Sequence, residues 1–187
     1  MTWQVRYARV EDFESISDIV NHYITHTVIN FREHPQTAGD WLAGWEPHRN
    51  QHPWLVAERN GVVDGIAYAT PWNERTAYRW TVEVTGYVRS GVHGRGIGSQ
   101  LYGELLGLLD QQGYRSAIAV IALPNPASVR LHESHGFAYV GTFGQVGYKF
   151  GAWHDVGLWQ RLIHGESEPQ RVLSLAELDE LEGERHT

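Results

Sequence analysis

The spacing of apolar residues changes along the chain and divides it into alternating strands and helices. Val5, Tyr7 and Arg9 alternate with Gln4, Arg6 and Ala8 as a first strand, and Phe13, Ile16, Ile19, Val20 and Tyr23 then recur at helical spacing. Residues 24 to 53 are rich in His, Pro, Thr and Asn, and only Trp41, Leu42 and Trp45 suggest a second helix there. Such a segment is suited to covering a site. Two short apolar runs, Trp54 to Glu58 and Val62 to Tyr68, flank Asn60-Gly61, whose residues both tolerate positive φ, so they predict a hairpin. A long strand is predicted from Ala77 to Val88, and a helix follows with Ile97, Leu101, Leu105 and Leu108 on one stripe. Ser116 to Ala122 reads as a strand buried on both faces and parallel to its predecessor across that helix. Asn125 to His135 is a predicted helix with Pro126 in its first turn and Gly136 after its end. Phe137 to Phe143 and Trp153 to Ile163 complete the predicted sheet. No repeat, linker or low-complexity tract interrupts this order.

The stretch Val92-His93-Gly94-Arg95-Gly96-Ile97-Gly98-Ser99 joins the central strand to its helix. The first N–H groups of a helix lack intrahelical partners and carry the positive end of its dipole. Glycines there let the backbone approach a phosphate closely. The spacing excludes the dinucleotide fingerprint, because the sixth position counted from Gly94 is Ser99 and from Gly96 is Leu101. It also excludes the nucleoside-triphosphate loop, which ends in Gly-Lys-Ser/Thr, since the segment has no lysine. A short x-x-G-x-G turn remains, and a plain strand-to-helix turn is its bland alternative.

Composition narrows the class. The chain has 187 residues, a size suited to one domain with a sizeable apolar core. It contains no cysteine, which excludes disulfides, thiolate metal sites and cysteine nucleophiles and fits a reducing interior. Of the formal charge of −7, residues 165 to 187 contribute seven acidic side chains against Arg171 and Arg185, or −5. The body is near neutral, so nothing suggests nucleic-acid binding. We expect residues 1–164 to form the domain and 165–187 a peripheral acidic tail, with a short helix over Ser174 to Leu181 carrying Leu175, Leu178 and Leu181 on one face. The opening residues show no secretory signal, and no segment is long and apolar enough to span a bilayer, so a cytoplasmic protein without a membrane partner is expected. Zinc is not expected: His132 and His135 are three apart rather than four, with no evident third ligand. A G-x-S-x-G nucleophile elbow is absent.

The element order, with a glycine turn after a central strand and an Asn-started helix further on, resembles the GNAT superfamily of N-acetyltransferases. The runs Ile121 to Glu133 and Gly147 to Gln160, the second containing Trp153-His154-Asp155-Val156-Gly157, are similar to the phosphinothricin N-acetyltransferase family. The likeness covers about residues 3 to 163. It implies an α/β (α+β) fold with a central mixed, twisted sheet flanked by helices. It also implies transfer of an acetyl group from acetyl-CoA to the α-amine of phosphinothricin, methionine sulfone or methionine sulfoximine, without a metal, by a homodimer. Another amino-acid or peptide acceptor, or a coenzyme-binding sensor without catalysis, are the alternatives.

The resemblance assigns roles residue by residue. The coenzyme pyrophosphate would meet His93, Gly94, Arg95, Gly96, Ile97, Gly98 and Ser99, and the pantetheine arm would pair with the strand at Thr85, Gly86 and Tyr87. His93 stands where the family usually has Gln or Arg. Gly86 replaces a larger β-branched residue and suggests a strand bulge. Asn125 and Ser128 would contact the pantetheine end, with Asn125 equally suited to a helix cap. Glu83 matches the family's base, which has to deprotonate the amine before attack, and a solvated strand carboxylate is the alternative. His132 occupies a position where many relatives have a tyrosine that protonates the leaving thiolate, and its role as acid, base or support stays open. Phe31, Arg32 and Arg75 match the acceptor side, where an arginine fork suits a carboxylate or phosphinate, and surface arginines are the alternative.

Overall fold

A computed structural model describes residues 2–164 and 168–185 of the chain. Seven strands form one sheet in the order β1-β2-β3-β4-β5-β7-β6, with β1 (Gln4–Tyr7), β2 (Trp54–Arg59), β3 (Val62–Pro71), β4 (Thr81–Val88), β5 (Ser116–Leu123), β6 (Ala138–Lys149) and β7 (Ala152–Leu162). Every neighbouring pair is antiparallel except β4 and β5, which are joined through helix α3 (Ile97–Gln112) as a parallel pair must be joined by a crossover. Helices α1 (Phe13–His26), α2 (Ala38–Trp45), α4 (Pro126–Ser134) and α5 (Leu175–Arg185) complete the order.

The two-residue period of the central strands builds two cores, one on each face. Trp54, Val56 and Ile66 pack with Phe13, Ile16, Val20 and Trp45 from α1 and α2. Leu55, Ala57, Ala67, Val82 and Val84 pack with Leu101, Leu105 and Leu109 from α3. Burial of these side chains is the main drive for the fold.

Several sequence expectations are corrected. Strand β4 starts at Thr81, because Thr76–Tyr78 form a 3-10 turn. The stripe of α3 ends on buried Leu109 rather than half-buried Leu108. Val120 in β5 is exposed at 42%, so that strand is not buried on both faces. β6 runs on to Lys149 through two register shifts, and Gln145 at positive φ donates its N–H to Asp155 Oδ1 at 2.7 Å.

The acidic tail is less peripheral than its charge suggests. Leu175 and Leu178 are buried while Leu181 is exposed, so two of the three predicted leucines dock on the body. Gln112 Nε2 donates to the carbonyls of Gln51 and Leu173, both at 2.8 Å, and the Leu173 N–H returns to the Gln112 carbonyl at 2.8 Å.

Two features position the site. Strands β4 and β5 pair only at Thr81, Val82 and Glu83; beyond Glu83, β4 stays with β3 and β5 goes with β7. The sheet therefore opens into a wedge below the glycine turn. The β3–β4 register places Thr70 opposite Glu83 and Tyr68 opposite Thr85, so these four side chains share a face.

Candidate active site

The open end of the wedge is a groove of about 560 Å³ between the glycine turn and α4. Gly94 (φ 74°) and Gly96 (φ 84°) both lie in the left-handed region, which frees the turn to wrap toward the α3 N-terminus. His93, Gly94, Gly96, Ile97, Gly98 and Ser99 line it on one side, and Asn125, Ser128 and His132 on the other. Gly86 and Tyr87 form its inner end. Arg95 is exposed on the turn and does not line the groove. Asn125 caps α4, its side-chain oxygen accepting from the Ser128 N–H at 3.1 Å, which fixes the helix entry beside the groove.

A separate pocket of about 290 Å³ opens on the other face of β4, toward α1 and α2. Glu83 and Thr85 enter it because odd positions of β4 face away from α3, whereas Val82 and Val84 face α3. Thr85 thus presents its side chain to this pocket rather than to the groove. Trp54 and Tyr68, stacked with centroids 4.2 Å apart, form one wall, and Gln36, Asp40 and Trp41 form another. A capping box at the start of α2 holds that second wall: Thr37 Oγ1 accepts from the Asp40 N–H at 3.1 Å, and Asp40 Oδ2 accepts from the Thr37 N–H at 2.8 Å. Arg32 reaches the rim, its guanidinium 5.1 Å from the Trp41 ring centroid.

Two carboxylates of this pocket are perturbed in opposite directions: hydrogen bonds from Thr37 hold Asp40 below its usual range, whereas Glu83 is raised. Burial pushes its pKa up, and no hydrogen bond or ion pair to its carboxylate occurs among the described residues. A group of this kind is poised to accept a proton nearer neutrality than an ordinary carboxylate.

His132 lies on the groove side and is buried. Its Nδ1 is 2.8 Å from the Ser128 carbonyl oxygen, which can only accept, so Nδ1 carries the hydrogen. The Nε2 lone pair of the neutral ring then accepts from Tyr102 Oη at 3.0 Å. Burial lowers the His132 pKa and raises that of Tyr102, which keeps both groups neutral. His135 is turned away from His132, its Nε2 being 3.0 Å from Ser99 Oγ. Among the described residues, no group of three or more His, Cys, Asp or Glu side chains is arranged to hold a metal ion.

The remaining sequence candidates divide. Gly86 does not mark a bulge, since the β3–β4 register is continuous through it; a Cβ there would stand 2.7 Å from Tyr102 Cε2. Its role is to admit that ring. Phe31 packs directly on Gly147 and lies 6.1 Å from the His154 ring, outside the lining of the Glu83 pocket. Arg75 is exposed at the start of the 3-10 turn and lines neither pocket nor groove. Sequence analysis missed Tyr102, Tyr68 and Gln36. Tyr102 had a signal, a hydroxyl-bearing ring beside Leu101 on an otherwise aliphatic buried helix face, whereas Tyr68 and Gln36 reach the site only through strand pairing and loop folding.

Residues 5–159 match the model of the acetyltransferase (GNAT) domain. The chain is 47% identical over 175 residues to a phosphinothricin N-acetyltransferase of Streptomyces viridochromogenes, covering 94% of this chain and 96% of that protein. It is 34% identical to an L-methionine sulfoximine/L-methionine sulfone acetyltransferase of Salmonella typhimurium, over 88% of this chain and 97% of that one. A phosphinothricin acetyltransferase of Sinorhizobium meliloti, solved in complex with acetyl-CoA, superposes with a TM-score of 0.87 at 34% identity, covering 92% of this chain and 96% of that one. The chain belongs to the GNAT acetyltransferases, within the phosphinothricin N-acetyltransferase family.

Proposed function

We propose that this protein transfers the acetyl group of acetyl-CoA to the α-amine of a small amino acid of the phosphinothricin, methionine sulfone or methionine sulfoximine type. The observation that carries the reading is Glu83, half-buried and, among the described residues, without an ion-pair partner, in a small pocket lying across β4 from a groove headed by a helix N-terminus. The groove suits acetyl-CoA: backbone amides of the glycine turn at the α3 N-terminus would hold its pyrophosphate, and the edge of β4 that β5 leaves unpaired beyond Glu83 would hydrogen-bond the pantetheine arm. Acetyl-CoA supplies an activated thioester carbonyl when bound. The acceptor pocket is at the small end of the usual range for ligand sites, which favours a free amino acid over a peptide.

Glu83 takes one proton from the substrate ammonium, directly or through a water. The freed amine attacks the thioester carbon and forms the C–N bond. The C–S bond then breaks, and the second proton shed by nitrogen passes to sulfur. The phenolic hydrogen of Tyr102, which rests on His132 Nε2, is the donor available to steady the departing sulfur, and His132 holds that phenol in place. Arg32 at the pocket rim is suited to the acceptor's anionic end, with Glu83 at the amine end.

A homodimer is part of the proposal. β6, β7 and the turn between them expose Tyr139, Val140, Phe143, Val146, Tyr148, Phe150 and Trp153, a concentration of large apolar side chains that a second copy of the chain could cover. Buried Trp159 instead belongs to the core.

The test is thiol release from acetyl-CoA with phosphinothricin, methionine sulfone, methionine sulfoximine and the ordinary amino acids, with product masses measured. Selective acetylation of the phosphinate and sulfone-type acceptors is expected. Turnover with none of them would overturn the acceptor reading.

A further inference from the structure

The coenzyme groove begins at a histidine, and its surroundings dictate where its hydrogen sits. Tyr23 Oη donates its only hydrogen to the Val88 carbonyl oxygen, which can only accept. The same phenol oxygen lies 2.6 Å from His93 Nε2, so it must be the acceptor there and Nε2 must carry a hydrogen. Tyr23 is itself held by packing against Tyr87, with ring centroids 5.2 Å apart. The imidazole is therefore oriented before any ligand arrives. In its neutral form such a ring has a bare lone pair at Nδ1, which repels a phosphate oxygen. In its cationic form Nδ1 is a second donor, with a full positive charge, beside the glycine turn that takes the anion.

We propose that His93 is a proton-linked coenzyme ligand: its ring takes up a second proton, on Nδ1, when the pyrophosphate of acetyl-CoA settles in the turn. Affinity for the coenzyme then falls as pH rises through the imidazole range. Gln or Arg at this position would bind without that dependence, so this residue decides whether the shared coenzyme site responds to pH. The proposal rests on the assignment of the groove to acetyl-CoA.

The other ionisable groups around the ring are unchanged in H93Q, so their contribution cancels in the comparison with it. On α1, Tyr23 is pushed up to about 12 by burial and stays neutral, and His22 lies edge-on beyond it, stacked on His26. On β4, burial likewise raises Tyr87. On α4, burial lowers both His132 and His135, and the other charged groups nearby are the guanidinium groups of Arg130 on that helix and Arg95 on the turn.

The experiment is calorimetric titration of coenzyme A into the wild-type protein, H93Q, H93R and Y23F near neutral pH. Buffers of small and large ionisation enthalpy are used, so that proton uptake is read directly. Comparison between variants cancels the titration of the ligand's own phosphate. The expected result is roughly half a proton taken up in excess of H93Q, and about a tenfold fall in wild-type affinity relative to H93Q from acid to alkaline pH. H93R should hold its affinity across that range. Y23F, in which the ring is no longer obliged to place its hydrogen on Nε2, should take up less than wild type. Equal uptake by wild type and H93Q would overturn the proposal, and unchanged uptake in Y23F would overturn the part given to Tyr23. Absence of coenzyme binding at any pH would remove the coenzyme site itself.

Discussion

At the scale of single residues, Glu83 combines a functional demand with a stability cost. Its carboxyl pKa is raised by burial, so the folded state favours the protonated form and charging it as pH rises works against folding. The sign predicts that E83Q will melt at the same temperature as wild type or higher, while kcat falls about 100-fold or more and coenzyme affinity is kept. Thermal unfolding and steady-state kinetics on the same preparations check this, and unaltered turnover would remove Glu83 as the base. The pH profile carries a second expectation. In the proposed mechanism the base has to be a carboxylate, so kcat/KM should decline on acidification with a midpoint above the ordinary carboxylate range, and E83Q should lose that limb.

At the scale of elements, the meeting of β4 and α3 decides whether the groove is correctly built. Glycine within a strand normally weakens it, yet here the missing side chain lets the Tyr102 ring lie against the backbone of β4. G86V should therefore destabilise the protein by about 1–3 kcal/mol, as overpacking does, despite the better strand propensity of valine. It should also lower turnover, because Tyr102 has to leave His132. Urea unfolding and kinetics test both halves, and a variant as stable and active as wild type would show that the ring has another place to go. The sequence singled out Gly86 but suggested a bulge, since a strand glycine by itself does not reveal whether the chain bends there or a neighbour approaches.

At the scale of the whole molecule, the tail and the β6–β7 face make separate predictions. Leu178 is 7% exposed on α5, so L178A should cost about 2 kcal/mol in denaturant unfolding. No effect would mean that the tail is not docked in solution. Trp153 is 60% exposed on the apolar face proposed to bury against a second copy. Sedimentation equilibrium should give twice the chain mass of 21.3 kDa, and W153E should shift the population toward monomer. A monomeric wild-type protein would refute the dimer.

The sequence by itself determined the order of strands and helices, the hairpin at Asn60-Gly61 and the glycine turn at the head of α3, whereas Glu83 was singled out only by the family resemblance. These features were legible because they are carried by short-range patterns: a period of two or 3.6, a turn dipeptide that tolerates positive φ, and a motif of contiguous residues. Only the tertiary structure decided which face each β4 residue serves, dividing Glu83 and Thr85 from Gly86 across the strand. It also decided that Tyr102 meets His132, that Arg32 reaches the rim of the Glu83 pocket while Arg75 lines neither pocket nor groove, and that Leu175 and Leu178 close the tail onto the body. Each of these depends on groups far apart in the chain, such as Tyr102 with His132 or Gln112 with Leu173, whose meeting is fixed by sheet register and helix packing rather than by local spacing.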